Sequence, residues 1–181
     1  VGKVSQVEFE GRKSKVDATA FLAPGSWIIG DVTLGERANV WTGAVVRGDD
    51  DTVVIGARST ILENCVVEAP TGSPVGIGED TIVSHGAVVH GSRIGSHVLV
   101  GIGAIILDGA EVGDGAIVGS GALVSPRSVV PPNQLALGVP AKPVRDVTDA
   151  ERAMVAREHA RTLAKAEKYK AIYPKPIRIR G

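Results

Sequence analysis

The sequence predicts an all-β core, a three-sided parallel β-helix of about seven coils, followed by a C-terminal α-helix. Three observations carry this expectation. An aliphatic residue returns every six positions over most of the chain from Val16 to Val130. Glycine supplies 23 of 181 residues, about 13% against a usual ~7%, with no collagen-like period of three. Aromatic residues make up only 3%, so the core must consist of narrow layers of small aliphatic side chains.

Taken in order, residues 1–15 read as a lead-in and residues 16–141 as the β-helix. The anchors run Val16, Leu22, Ile28, Leu34, Val40 and Val46, and resume after RGDDDTVV at Ile55, Ile61 and Val67. The phase slips through APTGSPVG and resumes at Ile77, Val83 and Val89; one residue is then dropped, and six-residue steps lead from Ile94 to Val130. Four positions after an anchor stands a small residue, such as Ala38, Ala44, Cys65, Ala87 or Ala104. Six residues are too few for a helical repeat but suit one short strand and a turn. Three such units close a triangular coil, and stacked coils hydrogen-bond as parallel sheets about 4.8 Å apart. A β-sandwich would show turn signals at intervals of roughly 8–12 residues instead. Residues 142–181 hold an extended, proline-rich linker and a helix over 148–173. Thr148 and Glu151 form a capping box, good helix formers follow, and Pro174 stops the run. The helix's modest apolar stripe (Val155, Leu163, Ala166, Tyr169) predicts that it lies along a β-helix wall, of its own subunit or of a neighbour.

Composition excludes several functions. Lys+Arg and Asp+Glu balance at 20 each, which gives no electrostatic footprint for a nucleic acid or an anionic membrane. No run approaches the roughly 18 apolar residues of a membrane span, and the first residues are too polar for a secretory signal. The single Cys65 suits a reducing cytoplasm and, at a small-residue wall position, reads as core rather than nucleophile.

The segment SHGAVVHG sets His85 and His90 five residues apart, a spacing that serves neither one helix face nor one strand face. On a three-sided coil the difficulty has a geometric answer. Arg47, Glu68 and His90 each follow an anchor directly, three hexads apart, so they form one outward column at successive coils. Glu68 and His90 can therefore share a ligand. His85 follows its anchor by two residues and belongs to another column, with Glu63 one coil away. In a threefold assembly of parallel prisms, His85 of one copy can meet Glu68 and His90 of the next. The plainer alternative pairs Glu68 with Arg47 and leaves both histidines as interface hydrogen-bonders without metal. His97 and His159 read as exposed surface histidines. Asp49 is expected at the site, with Asp50 and Asp51 in a solvated turn. Glycines in segments such as GIGED read as repeat turns, not phosphate loops, because no helix follows them.

The segments FLAPGSWIIGDV, NVWTGAVVRGDD, IGARSTILENCVVE, TIVSHGAVVHGSRIG and GVPAKPVRDVTDAER together resemble the γ-class carbonic anhydrases and their relatives, over about residues 14 to 155. The repeat itself is shared with acyltransferases; the RGD and SHGAVVHG segments are the more specific part. The resemblance implies a left-handed coil and a homotrimer with one divalent metal per subunit interface, held by three ligands drawn from two subunits. His85 and His90 fall on two of the family's histidine ligands. Arg47 and Asp49 fall on its RGD, and Glu63 on an acidic position expected to pair with Arg47 across the interface. Two positions depart from the family: Glu68 replaces its first histidine ligand, and Leu62 replaces a glutamine that orients bound solvent. Two imidazoles and a carboxylate remain a zinc set and also suit Fe(II) or Co(II). A carboxylate in place of an imidazole lowers the site's net positive charge by one and leaves bound water less acidic. CO2/bicarbonate is the implied substrate, with weak or no hydration activity. Two other classes remain: an acyltransferase using an acyl-CoA with a histidine general base, and a non-catalytic trimeric scaffold.

Overall fold

The computed structural model describes residues 5–173 and 177–179. The short strands stack on three faces. On the first face residues 27–30 pair in parallel with the start of Val45–Ile55, then Val66–Glu68, Val88–His90, Ile105–Ile106 and Leu123–Val124 follow in register. The second face runs from Lys15–Val16 through residues 33–34 and 53–55 to Val75–Ile77, Arg93–Ile94, Glu111–Val112 and Val129–Val130. The third runs from Phe21–Leu22 through Asn39–Val40, Thr60–Ile61, Ile82–Val83, Leu99–Val100 and Ile117–Val118 to Gln134–Gly138. This is the predicted parallel β-helix of about seven coils with a helix at its C-terminal end.

The hexad explains the core. Every anchor from Leu22 to Val130 is buried, none more than 6% exposed, and the small residues Ala38, Ala44, Cys65, Ala87, Ala104, Ala110 and Ala116 are wholly buried. Branched anchors fill each face and small residues fill the corners, where a larger side chain would have no room. Val16, on the first pairs of the stack, is only half-buried. At about 1.5–3 kcal/mol for each fully buried aliphatic side chain, the layered anchors supply the main favourable term.

Several expectations change. Asp50 and Asp51 lie in no turn. Val45–Ile55 is one continuous strand that bends from the first face to the second. The bend is made by two stacked glycines: a Cβ on Gly30 would lie 2.3 Å from the Gly48 carbonyl oxygen, and one on Gly48 would lie 2.5 Å from that of Asp31. The linker is not merely extended, since Ala141–Asp146 folds back antiparallel on Gln134–Gly138. The lead-in contains a strand, Ser5–Val7, that pairs with residues 27–29 and with Ile177–Ile179 at the end of the chain. The helix, α1, spans Asp149–Lys170, with Thr148 as N-cap in the expected capping box and Ala171 as C-cap. Pro174, expected to stop it, lies outside the described residues.

The helix α1 lies on the third face of its own chain. Val155 packs with Ile82, Ile117, Leu135 and Val147 at one end, and Ala166 with Phe21 and Trp41 at the other. Between them sits His159, 8% exposed, and not the surface histidine its polarity suggested. Its Nε2 lies 2.6 Å from the carbonyl oxygen of Arg58 and therefore donates to it. Residues 155, 159, 163 and 166 share one helical stripe, so position 159 faces the wall whatever occupies it, and the imidazole meets the wall's nearest carbonyl. His97 is exposed as expected.

Candidate metal centre

The outward column on the first face is formed as the repeat predicts: Arg47 pairs in register with Glu68, and Glu68 with His90. Each follows a buried anchor, so the alternation of a strand turns it outward. The close-packed Gly48 allows the chain to carry Arg47 and Asp49 on the same side, and Arg47 Nε donates to Asp49 Oδ2 at 2.8 Å. Arg47 Nη1 donates to Glu68 Oε1 at 3.1 Å. The hydrogen bond to Asp49 is the main reason the guanidinium is even more basic than usual, with the charge of Glu68 adding to it. Within one chain, then, Glu68 makes the ion pair with Arg47 that the plainer alternative expects. Its second oxygen has no protein hydrogen bond among the described residues. The other oxygen of Asp49, Oδ1, is buried without a hydrogen-bond partner.

Both histidines stand against carboxylates. The Nδ1 of His85 lies 2.8 Å from Glu63 Oε2, one coil below, as the column arithmetic places it. That contact is not directed as a hydrogen bond, and Glu63 Oε2 is another buried oxygen without a partner. The pairing of Glu63 with Arg47, expected between copies, is not made within the chain. The Nδ1 of His90 is in hydrogen-bond contact with Asp108 Oδ1. Asp108 was not among the expected site residues. The vertical count from His90 reaches Leu107, and Asp108 stands one residue further on, two after anchor Ile106 and level with Gly91, from where its side chain reaches back to His90. A carboxylate at Nδ1 fixes the tautomer and leaves Nε2 as a free electron-pair donor, the usual outer support of a metal-ligating histidine. The donors therefore suit a divalent ion: the His90 imidazole with its outer partner in place, the His85 imidazole with a carboxylate beside it, and the Glu68 carboxylate next to His90 in the column. One chain does not gather them. Among the described residues no three His, Cys, Asp or Glu side chains are close enough to hold an ion together.

Two neighbouring positions are apolar or inert. Leu62 packs against the clusters under α1 and offers no hydrogen bond to any site ligand. Cys65 is buried, its Sγ 2.9 Å from the Ser84 carbonyl oxygen, and burial pushes its thiol pKa up to about 11. It is core, as expected.

Comparison with known proteins adds what geometry leaves open. Residues 91–126 match the family described as bacterial transferase hexapeptide (six repeats). The chain is 55% identical, over 72% of its length and 82% of the relative's, to a protein of Methanocaldococcus jannaschii named "Probable carbonic anhydrase". It is 40% identical to a carbonic anhydrase of Geobacillus kaustophilus, over 91% of this chain and 90% of that one. It is 33% identical to the mitochondrial gamma carbonic anhydrase 1 of Arabidopsis thaliana, over 91% of this chain and 62% of that one. A crystal structure of a Bacillus cereus protein, named as a candidate acetyltransferase, superposes with a TM-score of 0.93 at 35% identity, over 95% of this chain and all of that one.

Proposed function

The chain belongs to the γ-carbonic-anhydrase family, and on that premise we propose that it is a trimeric metalloprotein whose sites lie between subunits, with carbonic anhydrase the favoured activity and CO2/bicarbonate its substrate. The observation that carries the reading is the state of the two histidines, each with Nδ1 against a carboxylate and Nε2 without a hydrogen-bond partner among the described residues. His85 of one copy, with Glu68 and His90 of the next, would hold one divalent ion, zinc in preference to Fe(II) or Co(II). Such an ion, when bound, supplies Lewis acidity that makes water nucleophilic near neutral pH. The chain's own residues do the rest. Asp108 orients the His90 imidazole, Glu63 lies against that of His85, Arg47 steadies the Glu68 carboxylate, and Asp49 holds Arg47.

The unpartnered oxygens of Asp49 and Glu63 support an assembly, because buried polar atoms in native proteins find partners. So does the scatter of the donors within one chain. The charge of Glu68 and the apolar side chain of Leu62 both work against catalysis: one makes the site less electrophilic, the other offers no hydrogen bond to the attacking water. We therefore expect metal close to one per subunit and slow CO2 hydration. Metal analysis of untagged protein tests this directly, with Glu68→Gln expected to lose metal. A hydration rate near that of a fast carbonic anhydrase would refute the slow-site reading.

The hexapeptide-transferase match and the name of the Bacillus cereus protein favour a second reading, acyl transfer from an acyl-CoA. Turnover of acetyl-CoA with an amine or sugar acceptor would support it. No described helix is long and apolar enough to cross a membrane. A cytoplasmic location belongs to the same proposal and rests on the single unpaired cysteine.

A further inference from the structure

The edge of α1 away from His85 borders a cleft of about 590 Å³. It lies where the second face turns into the third. The turn residue of successive coils has a left-handed backbone there and reads Arg58, Asp80, His97, Gly115 and Asn133. Each of their amides donates to a carbonyl of the coil before, so the five stand in one column. Gly115 carries no side chain, and the corner therefore recedes between His97 and Asn133 while the helix continues alongside. The floor is the apolar cluster under α1, where Ile117, Val147 and Val155 meet. The volume is that of an ordinary ligand pocket, about 300 to 1,000 Å³.

The polar groups of the lining are short of donors. His159 gives its Nε2 hydrogen to the Arg58 carbonyl oxygen, so the neutral ring keeps its lone pair on Nδ1. Nδ1 lies 3.9 Å from Asp80 Oδ1, too far for a hydrogen bond, and has no hydrogen-bond partner among the described residues. An imidazole this deeply buried and a carboxylate thus stand together in the wall with no donor between them, an arrangement that calls for one. The charges point the same way. The lining carries two carboxylates, Asp80 and Asp114, against one guanidinium, Arg152. Asp80 is held by Arg58, which Glu79 also holds, and Arg152 is held by Asp149 and the Asn133 carboxamide. Asp114 accepts the Ser96 amide on Oδ1 at 2.8 Å and has no ion pair among the described residues. The balance is negative for the lining alone, and it stays negative when those outside partners are included.

We propose that this cleft binds a small organic amine, its ammonium group among Asp80, Asp114 and His159 and its apolar body on Ile117, Val147 and Val155. The proposal goes beyond the metal reading. None of the proposed metal ligands or their partners lines the cleft, and that reading places the other two corners of the prism between copies, which leaves this one to solvent.

Hexylamine, with hexanol and hexanoate as neutral and anionic counterparts, tests it by calorimetric titration of the intact protein at pH 8, metal-loaded and metal-stripped. Imidazole side chains ordinarily carry no charge at that pH. Hexylamine should saturate at one per chain, equally in both preparations, with hexanol weaker and hexanoate weaker still. Asp114→Asn keeps an acceptor for the Ser96 amide and removes the charge. It should weaken hexylamine by about three- to fivefold, the scale of an exposed ion pair, and leave hexanol unchanged. Ala156→Leu fills the cleft from a helix position that leucine suits, and should weaken both by on the order of tenfold. Both substitutions fall at exposed positions, so the fold survives them, as circular dichroism would verify. Absence of saturable hexylamine binding would overturn the proposal. So would hexanoate binding as tightly as hexylamine, or hexylamine binding indifferent to Asp114→Asn or Ala156→Leu. Amine binding without metal retention would defeat the metal reading alone, and metal retention without amine binding would defeat this one alone.

Discussion

At the scale of single residues, burial and pairing decide which reactive groups react. Cys65 is the clearest case. Its thiol is pushed up to about 11 from an ordinary 9.0, chiefly by burial, so the folded protein keeps the proton that the unfolded chain releases sooner. The resulting stability is complete below about pH 9 and is lost as the pH climbs through 11; at most it amounts to about 2–3 kcal/mol. Urea unfolding of Cys65→Ala should therefore show a shallower loss of stability than the unsubstituted protein between pH 9 and 11. Iodoacetamide at pH 8 should label the native thiol far more slowly than the unfolded one. The same logic, reversed, applies at the candidate metal centre, where two residues are set against the chemistry. Glu68→His with Leu62→Gln restores a neutral third ligand and a hydrogen-bonding side chain. Stopped-flow CO2 hydration by the double variant should exceed that of the parent on the order of tenfold or more; an unchanged rate would mean that the deficit lies elsewhere.

At the scale of elements, the helix and the corners show where a sequence speaks and where it does not. The hexad marks inside and outside without ambiguity, because one buried anchor per strand fixes the whole coil. The column of Arg47, Glu68 and His90 followed from counting alone. Asp108 lies one residue off that count, which reaches Leu107, and an aspartate at a turn position is ordinary in any repeat. The bend at Gly30 and Gly48 was hidden for another reason: it is made by two backbones in contact, which no side-chain pattern reports. His159 is buried because its place on the helical stripe outweighs its polarity. Its burial makes a definite expectation. Removing the imidazole in His159→Ala leaves the Arg58 carbonyl without its donor and a gap under the helix, at a cost of about 1–3 kcal/mol in urea unfolding. Thr148→Ala should cost about 1 kcal/mol through the lost N-cap, and the two losses should be additive because the sites are more than two turns apart. Both are read against one fold, so a much larger coupling would mean that α1 docks and frays as a unit.

At the scale of the whole molecule, the first face is unfinished. Trp27, Val45, Val66, Val88, Ile105 and Leu123 stand in register from coil to coil on its outer surface. Trp27 is 42% exposed, and the other five are half-buried in the single chain. A parallel β-helix grows along its axis, each coil satisfying the next, and this leaves its faces to pack sideways. A continuous apolar stripe flanked by the Arg47 column fits a closed ring of identical copies. If the ring also assembles the metal donors, oligomer and metal must stand or fall together. Val88→Glu puts a charge in the middle of the stripe, two residues before His90 and on the same outward side of the strand, and leaves every proposed ligand in place. The variant should sediment as a monomer, keep the β-sheet circular dichroism of the parent, and retain little zinc after dialysis. Full metal retention in a monomer would place all three donors on one chain and remove the intersubunit site. A trimer that persists without metal would leave the stripe as the interface and Glu68 in its ion pair with Arg47.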